Sequence, residues 1–273
     1  MKTMSLPEAY KSFNNKIKTI PPVRSLLKYE FNRRFATATS TNLFRGVFDN
    51  FEQAIASAPK TKKIGYDNPE AAGMYRNRLH RVFPSDYPML FWLSYLFKEN
   101  SFVFDLGGHV GISYYAYKQY IEYPENLNWL IYDVPEVIKA GVAIAQQENS
   151  KGLNFTTNFT DADGADILLA SGSLQYIETP LSKSLPELTK KPKHILINML
   201  PLYDGEKFVT LQSIGTVFCP YNIFNKTQFV DSICSVGYSL IDSWENVEKS
   251  CTIAFNPERS LDTYTGLYFR LDK

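Results

Sequence analysis

A glycine-rich segment, Asp105-Leu-Gly-Gly-His-Val-Gly111, carries the residue types of a ligand-binding turn. It follows an apolar run at residues 102–106 that predicts a β-strand, and a helix is predicted directly after it. Glycines allow the backbone to approach a ligand closely, and the start of a helix favours a carboxylate or phosphate. The segment therefore predicts a cofactor-binding connection between a strand and a helix.

The spacing of the glycines excludes two familiar nucleotide motifs. A G-x-G-x-x-G pattern that begins at Gly107 needs glycines at positions that are occupied by His109 and Ile112. The P-loop pattern is also absent. The pattern present is D-x-G-G-x-x-G, which is typical of class I S-adenosylmethionine (SAM) methyltransferases, where the acid and the glycines hold the methionine end of SAM. A nicotinamide-dependent oxidoreductase is the alternative that the failed motif disfavours.

A second acid ends the next predicted strand, at residues 129–133. The carboxylate of Asp133 can accept hydrogen bonds from the two hydroxyls of a ribose, as acids at this place do in related sheets. The predicted cofactor site thus contains Asp105, Gly107, Gly108, Gly111 and Asp133. If the glycines only shaped a tight connection, the two strand-terminal acids would have no explanation.

Polar residues also follow the fourth and fifth predicted strands, at residues 166–170 and 194–200. Because ligands bind beyond the carboxyl ends of parallel strands, these residues are candidates for the same site. After the fourth strand we expect Ser171 and Gln175 to contact the cofactor and Tyr176 the acceptor; after the fifth, Tyr203 and Glu206 are expected to bind the acceptor. The alternative is that both segments are ordinary solvated loops.

A hydroxyl acceptor needs a general base within hydrogen-bond reach. His109 is the first choice, because the turn fixes it beside the cofactor and an ordinary histidine titrates near pH ~6.5. Asp204 and His80 are the other candidates, and His80 requires the preceding helical segment to fold over the site. His109 could instead only pack against the cofactor. No metal is expected, since Asp161, Asp163 and Asp166 read as turn and strand-start residues.

The order of the predicted elements positions these groups. Strands at residues 102–106, 129–133, 153–159, 166–170 and 194–200 alternate with helices, which predicts a parallel sheet covered on both faces. Two late strands, 238–244 and 266–271, have no helix between them. The predicted fold class is α/β, a Rossmann-like class I methyltransferase sheet that is mostly parallel with one antiparallel C-terminal strand, plus N-terminal helices.

Length and composition agree with a globular protein. The 273 residues are 44% hydrophobic and 21% charged, so a sizeable core can form. Three segments are predicted: a basic helical arm at 1–45, a helical lead-in or lid at 46–100, and a SAM-binding domain at 101–273. Helices are predicted at 47–58 and around Pro88. Three scattered cysteines and the absence of a secretory signal or a membrane-spanning run predict a cytoplasmic protein.

Three stretches resemble one known family: residues 104–115, 129–141 and 170–177, with a later match at Gln212, residues 221–224 and residues 237–238. The family comprises methyltransferases whose genes often lie among those for surface polysaccharides such as O-antigen. The resemblance implies a Rossmann-like fold, SAM as cofactor and a sugar acceptor in a surface glycan or its precursor. The chain departs from the family at His109, where a small residue is usual, and at Asp133, where Glu is common.

The charge distribution bears on partners. The net charge is +1, but residues 1–45 hold nine Lys or Arg against two Glu, so the rest of the chain is net acidic. This is not the profile of a general nucleic-acid binder. Val23, Leu27, Phe31 and Phe35 form a stripe that suits a peripheral membrane contact, or packing on the body or on a second subunit of a homo-oligomer. A non-catalytic SAM-fold binding or assembly module is the remaining alternative, because His109 could crowd the cofactor.

Overall fold

The computed structural model describes residues 21–39, 42–74, 76–97 and 101–273. Residues 1–20, 40 and 41 of the predicted arm lie outside the described residues. The described part forms eight α-helices: α1 (Pro21–Thr37), α2 (Phe51–Ala56), α3 (Pro69–Ala72), α4 (Tyr87–Leu96), α5 (Ile112–Tyr117), α6 (Pro135–Gln147), α7 (Leu181–Ser184) and α8 (Lys226–Cys234).

Thirteen strands belong to two sheets within the described residues. They are β1 (Leu43–Phe48), β2 (Lys63–Ile64), β3 (Phe102–Leu106), β4 (Asn128–Tyr132), β5 (Leu153–Thr156), β6 (Ile167–Ser171), β7 (His194–Leu200), β8 (Leu202–Tyr203), β9 (Phe208–Ile214), β10 (Val217–Asn225), β11 (Tyr238–Asn246), β12 (Ile253–Ala254) and β13 (Tyr264–Leu271). Short 3-10 turns connect several of them, one at Leu174–Tyr176.

The main sheet has seven strands in the order β11-β13-β7-β6-β3-β4-β5. The pairs from β7 to β5 are parallel, and β13 runs antiparallel to both β7 and β11. This confirms the predicted α/β class and the mostly parallel sheet with one antiparallel C-terminal strand. The late hairpin places β13 inside the sheet and leaves β11 at its edge.

The main sheet has a hydrophobic core on each of its two faces, because side chains alternate between the faces along each strand. Because successive side chains of a strand point to opposite faces, Val103 of β3 packs with α4, α5 and α6, whereas Phe104 packs with α7 and α8. Trp129 of β4 and Leu93 of α4 are fully buried on the first face, and Ile195 and Ile233 on the second. Helices therefore cover both faces, as the near-continuous apolar strands predict.

The sequence analysis did not predict a second sheet, called here the cap sheet, of order β12-β1-β9-β10-β2 with β8 paired to β10. The helix predicted at 47–58 is only Phe51–Ala56, since the chain before it enters β1. β9 is buried along both faces and so lacks the polar–apolar alternation of a surface strand. Pro220 lies within β10, where a proline argues against a strand in sequence-based reasoning.

The cap sheet covers the carboxyl edge of the main sheet. Tyr176 after β6 and Met199 of β7 pack into one cluster with Phe208 and Tyr221 of the cap sheet. Residues at the ends of the parallel strands are therefore enclosed between two sheets.

Helix α1 lies on the outer face of the cap sheet. The Phe35 ring stacks on Phe218 with centroids 5.3 Å apart, and Phe31 meets Phe255 edge-on at 5.7 Å. The C-terminal half of the predicted apolar stripe is thus packed on the body, whereas Leu26 is 64% exposed. Of the helices in the described ranges, none combines the length and the apolar character needed to cross a bilayer.

Candidate functional site

The glycine turn requires its glycines for steric reasons. Gly107 has φ +73°, and a Cβ there would lie 2.4 Å from the Cβ of Ser173. A Cβ on Gly108 would lie 2.5 Å from Cγ of Asp105. Gly111 has φ +99° at the start of α5, a left-handed conformation that side chains disfavour. The chain can therefore pass close over the ends of β3 and β6 only without side chains at these positions.

Most backbone N–H groups of the turn donate to acceptors within the protein. The N–H of Gly107 donates to the carbonyl of Tyr132 over 2.8 Å, and those of residues 108, 111 and 112 donate within the turn. The N–H of His109 donates to Oδ2 of Asp133 over 2.9 Å. A dinucleotide pyrophosphate would need such N–H groups directed at it, so this arrangement disfavours a nicotinamide cofactor.

Asp133 is held by two backbone donors at the end of β4. Its Oδ2 accepts from His109, and its Oδ1 accepts from the N–H of Val134 over 2.8 Å. Each oxygen keeps further acceptor capacity, which suits two hydroxyl donors. The side chain is half-buried; burial raises its pKa to about 6, the two backbone hydrogen bonds oppose this rise, and the nearby Asp67 carboxylate adds to it.

Asp105 lies buried beneath the glycine turn. It is 1% exposed, and its Oδ2 accepts a hydrogen bond of 3.0 Å from the indole of Trp129. Burial raises the pKa of Asp105 to about 7. A Cβ on Gly108 would lie 2.5 Å from Cγ of Asp105, so this carboxyl group packs against the turn, and its predicted contact with a cofactor stays a prediction.

The ring of His109, a residue of the glycine turn, is buried. Its backbone has φ 55°, an uncommon conformation for a residue with a side chain. Burial lowers the pKa of His109 to about 4, with a backbone hydrogen bond at Ala71 opposing the shift. The ring is therefore neutral at pH 7 but is a much weaker base than the ordinary histidine assumed from the sequence.

A short segment, residues 65–72, covers the turn. Tyr66 meets His109 edge-on with ring centroids 6.5 Å apart and meets Tyr176 in the same way at 5.2 Å. Oδ1 of Asp67 accepts from the N–H of Glu136, at the start of α6, over 3.0 Å. The sequence analysis missed Tyr66 as a site residue, because only its place in a predicted turn marked it.

The residues named after β6 lie at the carboxyl edge of the main sheet, and their contact with a cofactor or acceptor stays a prediction. Ser171 ends β6, Gln175 is buried, and Tyr176 lies between Tyr66 and Tyr221. Ser173, which was not predicted, donates its hydroxyl to the carbonyl of Leu106 and packs on Gly107. This contact fixes the β6 loop against the glycine turn.

The predicted acceptor residues after β7 form a separate loop of the cap sheet. The hydroxyl of Tyr203 donates to the carbonyl of Glu206 and accepts from Nη1 of Arg259 over 2.8 Å. Asp204 and Glu206 are exposed, and the Asp204 carbonyl accepts from Asn225. Tyr203 packs in the cluster that contains Tyr176 and Met199, whereas Asp204 and Glu206 lie exposed after it.

His80 and His194 lie away from the turn. His80 is exposed beside α5, where its Nδ1 is 3.3 Å from Nε2 of Gln119, a residue beyond the far end of that helix. The structure therefore does not place His80 over the site, as its predicted role requires. His194 begins β7 at the opposite edge of the sheet, with Nδ1 2.9 Å from the Tyr268 hydroxyl, in agreement with a structural role.

Two further features of the carboxyl edge were not predicted. Met199, near the end of β7, has φ 52°, so two side-chain-bearing residues, Met199 and His109, adopt strained backbone conformations at one edge. Asp86, directly before α4, is buried and accepts from the Tyr117 hydroxyl over 3.1 Å. Burial raises its pKa, which the hydrogen bonds from Phe83 and Tyr117 oppose.

The three aspartates weighed as a metal cluster each have partners of their own. Asp161 accepts from Thr156, Asp163 from the N–H of Lys190, and Asp166 pairs with Lys193. Among the residues that the structure describes, no group of three His, Cys, Asp or Glu could hold a metal ion.

No protein-family model and no curated protein matches the chain. Solved structures that resemble it include 1,6-didemethyltoxoflavin-N1-methyltransferase of Burkholderia thailandensis, with S-adenosylhomocysteine (SAH) bound. The two share 16% sequence identity with a TM-score of 0.47, and the match covers 70% of this chain and 79% of that chain. Magnesium protoporphyrin IX methyltransferase of Synechocystis, also with SAH, shows 11% identity, TM-score 0.43, and coverage of 75% and 85%.

A SAM-dependent methyltransferase of Clostridium acetobutylicum shows 10% identity and TM-score 0.47, with 70% of this chain and 93% of that chain covered. At these identities and scores, the likenesses carry no argument about cofactor or substrate. The family suggested by the sequence motifs remains a prediction. The strand order and the geometry of the turn are the observations from which a function can be inferred.

Proposed function

We propose that the protein is a SAM-dependent methyltransferase. The observation that carries the proposal is Asp133: a half-buried carboxylate at the end of β4, held by two backbone N–H groups and tied to the glycine turn at the end of β3. The position of Asp133 at the end of a strand, the glycine turn and the order of the strands are similar to the arrangement that binds a ribose and an amino-acid chain in class I methyltransferases.

The residues present fit SAM. Asp133 would accept from both ribose hydroxyls, the turn at residues 107–111 would lie along the methionine part, and Ser171 and Gln175 would complete the site from β6. When bound, SAM supplies a methyl on a sulfonium: the acceptor's new bond to this carbon forms as the carbon–sulfur bond breaks, and the electron pair returns to sulfur. Holding both reactants in place can supply ~7–11 kcal/mol of the barrier lowering.

The chain's own residues would enclose this reaction and take up the acceptor's proton. Tyr66 and Tyr176 cover the turn and keep water from it. His109 stays the first candidate base because it lies in the turn, although its low pKa makes it weak. Asp86 is a second buried acid–base group near this edge, whereas Asp204 and His80 lie elsewhere in the structure. A sugar hydroxyl of a surface glycan as acceptor rests on the family resemblance alone.

Calorimetric titration of the full chain with SAM, SAH and NAD tests the proposal. We expect SAM and SAH to bind and NAD not to bind. Asp133→Ala should weaken SAM binding at least ~tenfold, since each hydrogen bond to a charged group contributes ~1.5–3 kcal/mol. Asp231→Ala, an exposed acid on α8, is the matched control and should leave binding unchanged.

Two results would contradict the proposal. Binding of NAD in place of SAM would support the oxidoreductase, and the absence of both would support the non-catalytic module. The module has one observation in its favour, the buried His109 ring inside the turn.

A further inference from the structure

A cavity of about 200 Å³ lies between α7, α8 and the C-terminal part of β10, and the loop after β6 closes one side of it. It is called here the lysine pocket, after Lys183 and Lys207 in its lining. Among the described residues that line it, none belongs to the glycine turn or to the residues proposed to hold SAM. The lysine pocket is therefore a site of its own.

The inner wall of the lysine pocket is apolar. Buried side chains from the loop after β6, from α7, from β10 and from α8 form it: Leu174, Leu181, Phe224, Phe229 and Ile233. The rings of Phe224 and Phe229 meet with centroids 5.2 Å apart. Since an apolar cavity of ~150 Å³ can hold a benzene molecule, this wall suits a phenyl ring or a short branched chain.

The mouth of the pocket is cationic. Lys183 and Lys207 both line it and are exposed, and Nζ of Lys207 lies 5.7 Å from the centroid of the Phe224 ring. Apart from this ring contact, neither ammonium group has a salt bridge or a hydrogen bond within the described part of the chain. Positive charge thus borders the apolar wall without a carboxylate to pair with it.

The two lysines disfavour each other's charged form. Burial lowers the pKa of Lys207, and the charge of Lys183 lowers it further. An anion beside both ammonium groups would offset this repulsion, because an opposite charge nearby favours the ionised state. The mouth is therefore better suited to an anionic group than to a neutral one.

The charge balance of the lining indicates which anion fits. Glu178 is the single acid among the described lining residues, so two lysines and one glutamate give a net charge of +1. A carboxylate carries one negative charge, whereas a phosphate monoester carries about −1.5 to −2 at pH 7. A carboxylate neutralises this mouth, and a phosphate monoester would leave an excess of negative charge.

We propose that the lysine pocket binds a small carboxylic acid with an apolar body. Its carboxylate would lie at Lys183 and Lys207, and its ring or branched chain would pack on Phe224 and Phe229. This is a second ligand site beyond the proposed methyltransferase function, and it does not depend on that function.

Saturation-transfer NMR on the full chain tests the proposal with three small molecules: phenylacetate, phenylacetamide and phenyl phosphate. We expect phenylacetate to bind and phenylacetamide, which has the same shape without the charge, to bind at least ~tenfold more weakly. Phenyl phosphate should bind no more tightly than phenylacetate. Excess SAH should leave phenylacetate bound, since the two sites share no lining residue.

Variants locate the binding. The double variant Lys183→Gln, Lys207→Gln keeps two polar side chains of similar length and should weaken phenylacetate binding at least ~tenfold. Both positions are exposed, so its thermal midpoint should stay close to that of the native chain. Lys139→Gln, an exposed lysine on α6, is the matched control and should have no effect.

A third variant tests the apolar wall. Ser232 of α8 lines the pocket and is half-buried, so Ser232→Leu places a larger apolar side chain in the cavity. It should abolish binding of phenylacetate while both lysines remain. Native affinity in this variant would mean that the ring lies elsewhere.

The outcomes separate this site from the methyltransferase function. Equal binding of phenylacetate and phenylacetamide, native affinity in the double lysine variant, or displacement of phenylacetate by SAH would each overturn the proposal. Tighter binding of phenyl phosphate that is lost in the double variant would overturn the assignment to a carboxylate. If phenylacetate binds through the lysines and SAH does not bind, the lysine pocket stands and the methyltransferase function fails.

Discussion

The backbone N–H of His109 donates to Oδ2 of Asp133 over 2.9 Å, which joins the loop after β3 to the loop after β4. The bond orients the carboxylate that is proposed to accept the ribose hydroxyls. It also makes the conformation of the glycine turn and the charge of Asp133 mutually dependent, because the N–H stabilises the ionised form.

SAM affinity should fall as pH decreases through about 6. Burial raises the pKa of Asp133 to about 6, and the ionised carboxylate is the form that accepts from two hydroxyls. Calorimetry from pH 8 to pH 5 should therefore show weakening below pH about 6 in the native chain. Asp133→Asn should bind more weakly throughout, with a nearly flat profile; a native-like slope in this variant would refute the assignment.

Asp105→Asn should stabilise the protein at alkaline pH. The Asp105 pKa is about 7 in the folded chain and ~3.9 in the unfolded chain. The folded state thus binds more protons between these values, so the native free energy of unfolding decreases as pH rises through 7. The variant has no ionisable group at this position and does not suffer this loss. At pH 8 its free energy of unfolding should therefore exceed that of the native protein by up to ~4 kcal/mol.

Urea unfolding of both proteins at pH 5 and pH 8 measures the effect of Asp105→Asn. The amide oxygen can still accept from Trp129, so the variant keeps the hydrogen bond of the native structure. If the free energy of unfolding of the variant exceeds that of the native protein by the same amount at both pH values, Asp105 is not a buried ionisable group.

Gly107→Ala should destabilise the protein more than Gly164→Ala. Both glycines have similar positive φ, +73° and +76°, but a Cβ at 107 meets Ser173 at 2.4 Å, whereas the nearest atom at 164 is 3.7 Å away. Left-handed strain costs ~1–2 kcal/mol at each position, and overpacking adds ~1–3 kcal/mol at 107 only. Thermal denaturation of the two variants measures the difference. Equal losses of stability would mean that the loop after β6 moves to accommodate the added methyl group.

Phe35→Ala should destabilise the protein by ~3–5 kcal/mol, because Phe35 is buried and stacks on Phe218. Leu26→Ala on the same helix is the control, with an expected change within ~0.5 kcal/mol at an exposed position. If Phe35→Ala unfolds with the same midpoint as the native chain, α1 is a separable arm, as the membrane-contact prediction assumes.

His109→Asn tests the base. An asparagine tolerates φ 55°, so fold and SAM affinity should be retained. If His109 is the base, turnover of the acceptor falls at least ~100-fold in the variant. At saturating SAM, native turnover stays constant from pH 8 to pH 5.5, because the pKa of His109 is about 4. Asp204→Asn, in an exposed loop, should keep native turnover; the reverse pattern would transfer the role to Asp204.

Local patterns in the sequence determined the main sheet and the glycine turn at its carboxyl edge. Apolar runs, turn residues and helix caps specify β3 to β7, and Asn225 caps α8 by accepting from the N–H of Gln228 over 2.8 Å. The glycines and Asp133 could be identified because the glycines directly follow one predicted strand and the acid ends the next.

Only the tertiary structure decided the cap sheet and the environment of the site residues. β9 becomes a strand by pairing with both β1 and β10, and its burial on both faces leaves no alternation to read in the sequence. The same burial lowers the pKa of His109, raises that of Asp105 and isolates the polar atoms of Thr210 and Gln212. Desolvation depends on every neighbour in space, and spacing along one chain does not contain it.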